Sequence, residues 1–159
     1  MTRLRARAPK GQRAHGKRPQ KRGQNVSIVG ALSLTGLLAS VSIKGAFDRL
    51  TFEAFISQRL VPKLWPGACV IMDNCSIHFG QEIENMIHQA GASLIYLPPY
   101  SPEFSPIENF WSKVKSILRS LEARTYPDLA KALEKAFEEV ALKDIENWFT
   151  NCCYCTSPE

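Results

Sequence analysis

The 159-residue chain is 45% apolar and 22% charged, the balance of one folded domain with a real core rather than of a disordered or collagen-like polymer. Its formal charge of +5 is uneven: residues 1–25 hold nine of the 20 Lys and Arg residues and no acid, leaving 11 basic against 15 acidic residues beyond them. The five cysteines are odd in number, no signal-peptide pattern is read, and the Cys152, Cys153, Cys155 cluster has no His nearby, so neither a disulfide framework nor a zinc site is expected.

The basic arm (Arg3, Arg5, Arg7, Lys10, Arg13, Lys17, Arg18, Lys21 and Arg22) is interrupted by Pro9, Gly11, Gly16, Pro19 and Gly23, so no sustained helix is expected. An extended cationic arm on a mildly acidic body points to a polyanion, and nucleic acid is the expected partner. The 18 residues Val26–Ile43 carry no charge and have the length of a membrane anchor. Their pattern argues against one. Val26, Ile28, Leu32 and Leu34 share one parity, Leu37, Ala39, Val41 and Ile43 alternate beyond a Thr35-Gly36 turn, and serines are scattered throughout. This predicts a β-hairpin and, with no other targeting segment, a cytoplasmic protein.

Thr51 is the expected N-cap of the next helix, with Glu53 in its first turn and Phe52, Phe55, Ile56 and Leu60 on its buried face. Pro62 and Trp65-Pro66-Gly67 close it. Residues 68–72 then form an apolar strand in which Cys69 is expected to be buried. A helix over about 80–90 buries Ile83, Met86, Ile87 and Ala90 and ends at Gly91. Residues 93–97 form a short strand, making 68–97 a right-handed parallel strand–helix–strand unit. Helices follow at 107–121 (Phe110, Trp111, Val114, Ile117, Leu118), at about 126–140 (Leu129, Leu133, Phe137, Val140) and at about 142–149 (Leu142, Ile145, Trp148). The expected organisation is an arm over 1–25, a body over 26–150 and a cysteine-containing tail over 151–159.

Two acids stand out. Asp73 closes the apolar strand, where chemistry gathers in parallel sheets, and is followed by Asn74-Cys75-Ser76-Ile77-His78. Asp-Asn is also ordinary turn chemistry. Glu108 follows a proline-studded loop, and Ser105-Pro106-Ile107-Glu108 reads as a capping box that needs no catalytic role. Glu108, Ser112, Lys115 and Arg119 form one polar helix stripe, either a phosphate-steering face or a solvated one. A strand-end acid and a helix-start acid can share a divalent metal; His78 is read as a supporting residue rather than a ligand.

The strings Val70-Ile71-Met72-Asp73-Asn74 with His78, Leu97-Pro98-Pro99-Tyr100-Ser101-Pro102, and Pro106-Ile107-Glu108-Asn109-Phe110-Trp111 with Lys115 resemble the catalytic domain of DDE transposases, in the bacterial insertion-sequence branch related to mariner elements. The resemblance covers residues 8–150, including Gly30-Ala31-Leu32 and Asn147-Trp148-Phe149; Ser105 departs from the family's usual Asn. It implies a ribonuclease-H-like α/β fold with a five-stranded mixed sheet flanked by helices. It makes Asp73 and Glu108 the second and third catalytic, metal-binding acids, supported by Asn74, His78, Asn109 and Lys115. Two Mg²⁺ or Mn²⁺ ions would serve phosphoryl transfer on DNA. It implies DNA as partner through the basic arm and Arg119, and a homodimer that synapses two transposon ends.

The family's first acid lies on a central strand before the hairpin, yet no Asp or Glu precedes Asp48. The expectation is therefore a truncated catalytic domain without its first strand or upstream helix-turn-helix region, joined to an upstream-frame polypeptide by frameshifting, or a decayed remnant. Such a chain would be catalytically incomplete alone, with open sheet edges prone to aggregation. The alternatives are a non-catalytic DNA-binding remnant or competitor of the full transposase, and an RNA-directed nuclease of the same fold.

Overall fold

The computed structural model describes residues 7–13, 25–123 and 125–155. Among these, the elements run β1 (Val26–Ser33), β2 (Gly36–Lys44), α1 (Arg49–Phe55), β3 (Cys69–Met72), α2 (Gln81–Gln89), β4 (Ser93–Tyr96), α3 (Pro106–Leu121), α4 (Tyr126–Glu138) and α5 (Leu142–Asn151). The described residues fall into two compact units, one of 25–109 with 142–155 and the other of 7–13 with 110–123 and 125–141. Of the basic arm, Arg7, Lys10 and Arg13 are described and exposed. Arg3, Arg5, Lys17, Arg18, Lys21 and Arg22 lie outside the described residues. Among the described residues no helix is long and apolar enough to cross a membrane.

The alternating stretch does fold as a hairpin, with β1 antiparallel to β2 from Val26↔Lys44 to Ser33↔Gly36. Its turn is Leu34-Thr35, one residue earlier than the sequence suggests, because Gly36 supplies the positive φ (122°) that closes the hairpin and opens β2. The sequence pattern left the core face of β1 unassigned: Val29 and Ala31, paired with Val41 and Ala39, pack on the core, and Val26, Ile28 and Leu32 lie on the other parity. A register shift between Ala31 and Leu32 leaves Leu38 as an extra residue on β2. The Leu38 carbonyl accepts from Lys63 Nζ at 2.5 Å, which shields a backbone polar group beside the sheet.

Helix α1 is capped by Asp48, not Thr51. Asp48 is extended (φ −103°, ψ 176°), and its carboxylate accepts from Thr51 N at 2.8 Å and Thr51 Oγ1 at 2.5 Å. Thr51 is thus the third helical residue that the cap satisfies. Helical winding continues past α1 as a π-turn, Ile56–Leu60, and a 3₁₀ turn, Val61–Lys63. Pro62, which lacks an N–H and clashes with the preceding turn of an α-helix, gives the local reason for the change of pitch. Phe52, Phe55, Ile56 and Leu60 are buried as expected.

β3 and β4 pair in parallel from Cys69↔Ser93 to Met72↔Tyr96, with α2 as the crossover. β3 alternates: Ala68 and Met72 are buried, but Cys69 is exposed, contrary to the fully buried strand expected. Ile83 and Ile87 of α2 are fully buried. Gly91 (φ 75°) ends α2 as expected, with Ala92 N donating to Ile87 O (3.2 Å) and Gly91 N to His88 O (2.9 Å). Ala39 of β2, Phe52, Phe55, Ile56, Leu60, Ala68, Met72, Ile83, Ile87 and Ala92 form one core, so the hairpin and the parallel pair share it. In place of one continuous sheet, the described strands form two two-stranded sheets.

In α5, Ile145 is buried, but Leu142 is 54% exposed rather than buried, because it is the helix's first residue and lies over Gly36 at the hairpin turn. In the other unit, α4 is capped by Thr125, whose hydroxyl accepts from Asp128 N. Phe110, Val114 and Leu118 of α3 and Ala132, Leu133 and Ala136 of α4 are buried there. Phe137 stacks on Phe110 at 5.8 Å.

Candidate metal and nucleic-acid site

Leu97 N donates to Met72 O at 2.8 Å, so the parallel ladder runs to the residue before Asp73. Asp73 leaves the carboxyl end of β3 with its side chain 58% exposed. Asp73 Oδ1 accepts from Cys75 N at 3.2 Å, the local turn that Asp-Asn predicts. His78 Nδ1 lies 2.6 Å from the same oxygen, an ion pair when the imidazole is protonated, and 3.4 Å from the Asp73 backbone carbonyl oxygen. Local turn chemistry thus holds a carboxylate that remains more than half exposed.

His78 is well placed to hold that acid. It ends a 3₁₀ turn, Ser76–His78, and its side chain is only 18% exposed. The Phe52 ring lies 4.4 Å from the imidazole, and Tyr96 OH donates to the His78 carbonyl at 3.1 Å. Burial, then the nearby Glu84 carboxylate, raises the Tyr96 phenol above its ordinary pKa, with Arg49 opposing. The phenol therefore stays a donor well into the alkaline range. With its ring against Phe52, His78 places Nδ1 beside the Asp73 carboxylate from a largely buried position.

Glu108 arrives by a different route. From the end of β4 the chain runs through Pro98, Pro99 and Tyr100 into a 3₁₀ turn, Pro102–Phe104, and then α3. Glu108 lies in the first turn of α3, exposed, with its N–H donating to Ser105 O at 3.1 Å. Asn74, Asn109, Ser112, Lys115 and Arg119 are also exposed. Both acids thus follow from the carboxyl end of the same parallel pair, one directly and one through the proline loop.

The tail reaches this loop. Tyr154 OH donates to Phe104 O at 2.7 Å, across 50 residues of sequence. Its ring is aimed by the C-terminal turn of α5: Tyr154 N donates to Phe149 O (3.0 Å), Cys153 N to Thr150 O (2.9 Å), and Cys153 takes φ 64°. This is a Schellman motif with its expected side-chain contact, here Phe149 against Tyr154 at 6.2 Å. Burial first, then the Cys152 and Cys69 thiols, raises the Tyr154 phenol's pKa. All five cysteines are free thiols, and Cys152 is buried under this turn.

Sequence reasoning singled out Asp73, His78 and Glu108 as candidates but missed the contacts of Phe52 and Tyr96 with His78 and of Tyr154 with Phe104. Phe52 reads as core, and nothing local in the sequence links Tyr154 to Phe104. Among the described residues no group of three or more His, Cys, Asp or Glu is placed to hold a metal ion. The donors that Asp73 and Glu108 offer are hard carboxylate oxygens, which suit Mg²⁺ or Mn²⁺.

A mixed α/β body with one acid leaving a parallel strand, β3, and another in the first turn of the helix after its partner strand, β4, defines a carboxylate scaffold. The chain belongs to the DDE superfamily endonuclease family, whose model matches residues 1–130. It is 23% identical over 130 residues to the Transposable element Tcb1 transposase of Caenorhabditis briggsae, covering 78% of this chain and 47% of that protein. Its fold is similar to the Mos1 mariner paired-end complex with Mn, at TM-score 0.72 and 15% identity over 97% of this chain and 50% of that one. It is also similar to the catalytic domain of Mos1 mariner transposase, at TM-score 0.58 and 14% identity over 80% of this chain and 72% of that one. The ribonuclease-H-like fold expected from the sequence is thereby shown. The chain spans about half the length of the Tcb1 transposase and of the Mos1 chain in the Mn complex.

Proposed function

We propose that this chain is part of a DDE transposase that cleaves and joins DNA with divalent metal, and that Asp73 and Glu108 are two of its metal-binding acids. The observation that carries the reading is the exposed Asp73 carboxylate at the carboxyl end of β3, oriented by His78, in a chain of the DDE superfamily endonuclease family. Mg²⁺ or Mn²⁺, when bound, supplies charge stabilisation for in-line displacement at phosphorus. The chain's own residues supply position. His78 holds the Asp73 carboxylate in place beside it, and Asp73 would be one of the residues that hold the metal. The turn before α3 fixes Glu108. Arg7, Lys10 and Arg13, with the rest of the basic arm, and Arg119 engage phosphates. Assembly as a homodimer on two transposon ends fits the same reading, as do frameshift fusion to an upstream-frame polypeptide and origin in a bacterial insertion sequence.

Two carboxylates give a two-metal site too few ligands and too little negative charge. The third acid is proposed to come from a further strand outside the acids of this chain. The 159-residue polypeptide alone is then expected to bind DNA but neither cleave nor join it. The test is a strand-transfer assay with Mg²⁺ or Mn²⁺ on this chain and on a longer product that adds an acid-bearing strand. Activity in the longer product that is lost in Asp73→Asn and Glu108→Gln supports the proposal. Robust transfer by the 159-residue chain would sink the incomplete-site part. Metal-independent DNA binding with no activity in either protein would favour the non-catalytic competitor.

A further inference from the structure

The loop that joins β4 to α3 presents two aromatic rings to solvent, Phe104 in part and Tyr100 wholly. Tyr100 is fully exposed (101% relative to an extended reference) and takes φ 58°. A bulky L-residue in the left-handed region is strained, and a water-facing ring gains nothing by way of compensation. The segment around it is stiff. Pro98, Pro99 and Pro102 restrict the backbone. Leu97 N is tied to Met72 O on one side, and Phe104 O accepts from Tyr154 OH at 2.7 Å on the other. The Tyr100 ring is therefore displayed on a loop pinned at both ends, between β4, the partner of the strand that leads to Asp73, and the helix that carries Glu108.

The chemistry of the loop narrows what the ring could meet. Residues 97–109 contain no Lys or Arg, whereas Glu103 and Glu108 are acidic and exposed. This stretch offers a nucleic acid a π-face, not a charge for its phosphates. Base faces are covered inside a duplex and accessible on unpaired or extruded bases. On the reading of the site as a DNA-processing one, we propose that Tyr100 is a base-stacking residue that takes an unpaired nucleobase next to the site of the metal-binding acids.

The test is fluorescence anisotropy of the full 159-residue chain with two labelled DNAs of the same sequence, one a blunt duplex and one with an unpaired 3′ overhang. Tyr100→Ala is expected to weaken overhang binding about five- to a hundredfold. Blunt-duplex affinity and the salt slope should stay unchanged, because no charge is removed. Tyr100→Trp should restore overhang binding. Tyr100→Gly, which removes the ring and relieves the backbone together, should lose overhang binding while folding at least as stably as the parent. Overhang binding by Tyr100→Ala and Tyr100→Gly equal to the parent's overturns the inference and leaves the DNA reading standing. A parent chain that binds neither DNA overturns the DNA reading and this inference with it.

Discussion

Cys153 is the residue at which the α5 terminus stores strain. Its φ of 64° lies in the left-handed region, which costs an L-residue about 1–2 kcal/mol relative to glycine. The position is the one that Schellman motifs give to glycine. Cys153→Gly removes that cost but frees the unfolded chain, which returns about 0.4–1 kcal/mol. The thiol is exposed, so its loss forfeits no burial. The net expectation is a gain of about 0.5–1 kcal/mol, or roughly 1–4 °C in Tm for a chain of this size. Urea denaturation under reducing conditions, followed by circular dichroism, measures it. Cys153→Ala is the control, because it removes the sulfur and keeps the strain; it should match the parent. If the glycine variant is no more stable than the alanine variant, the C-terminal turn is not strained as described.

Two further perturbations probe the core and the start of α1. Ile56 is fully buried among Phe52, Phe55 and Leu60, so Ile56→Ala should cost about 2–5 kcal/mol in urea unfolding, whereas Leu50→Ala, at a 75% exposed position, should cost under about 0.5 kcal/mol. Hydrogen bonds from the Thr51 side chain and backbone lower the Asp48 pKa below its ordinary 3.8. The cap's stabilisation is thus complete above that value and is lost as pH falls through the depressed folded pKa. The Tm gap between the parent and Asp48→Ala should be constant at neutral pH and narrow below about pH 4; a gap that widens on acidification would contradict the assignment.

Much of the architecture was legible because it rests on local periodicity. Alternation over 26–43 specified a hairpin, the helical spacing of Phe110, Val114 and Leu118 specified a buried face, and Gly91 marked a helix end. The errors came where tertiary context or close competition decided. Asp48 and Thr51 are both good caps, and the extended backbone at Asp48 chose between them. Cys69 and Leu142 are apolar in sequence, but Cys69 falls on the outward parity of β3, opposite Ala68 and Met72, and Leu142 is the first residue of α5. Asp73 and Glu108 stood out as candidates through their motif contexts. The hold of His78 on Asp73 spans five residues and was partly foreseen. The Phe52, Tyr96 and Tyr154 contacts join distant segments, and a single sequence has no signal for them.

The most direct test of the central claim is Mn²⁺-induced paramagnetic broadening of backbone amide resonances in the intact chain. The account predicts that residues 74–78 and 107–109 broaden first, and that Asp73→Asn or Glu108→Gln removes the effect at both segments. Broadening centred elsewhere, or unchanged in those variants, would contradict a shared Asp73–Glu108 metal site.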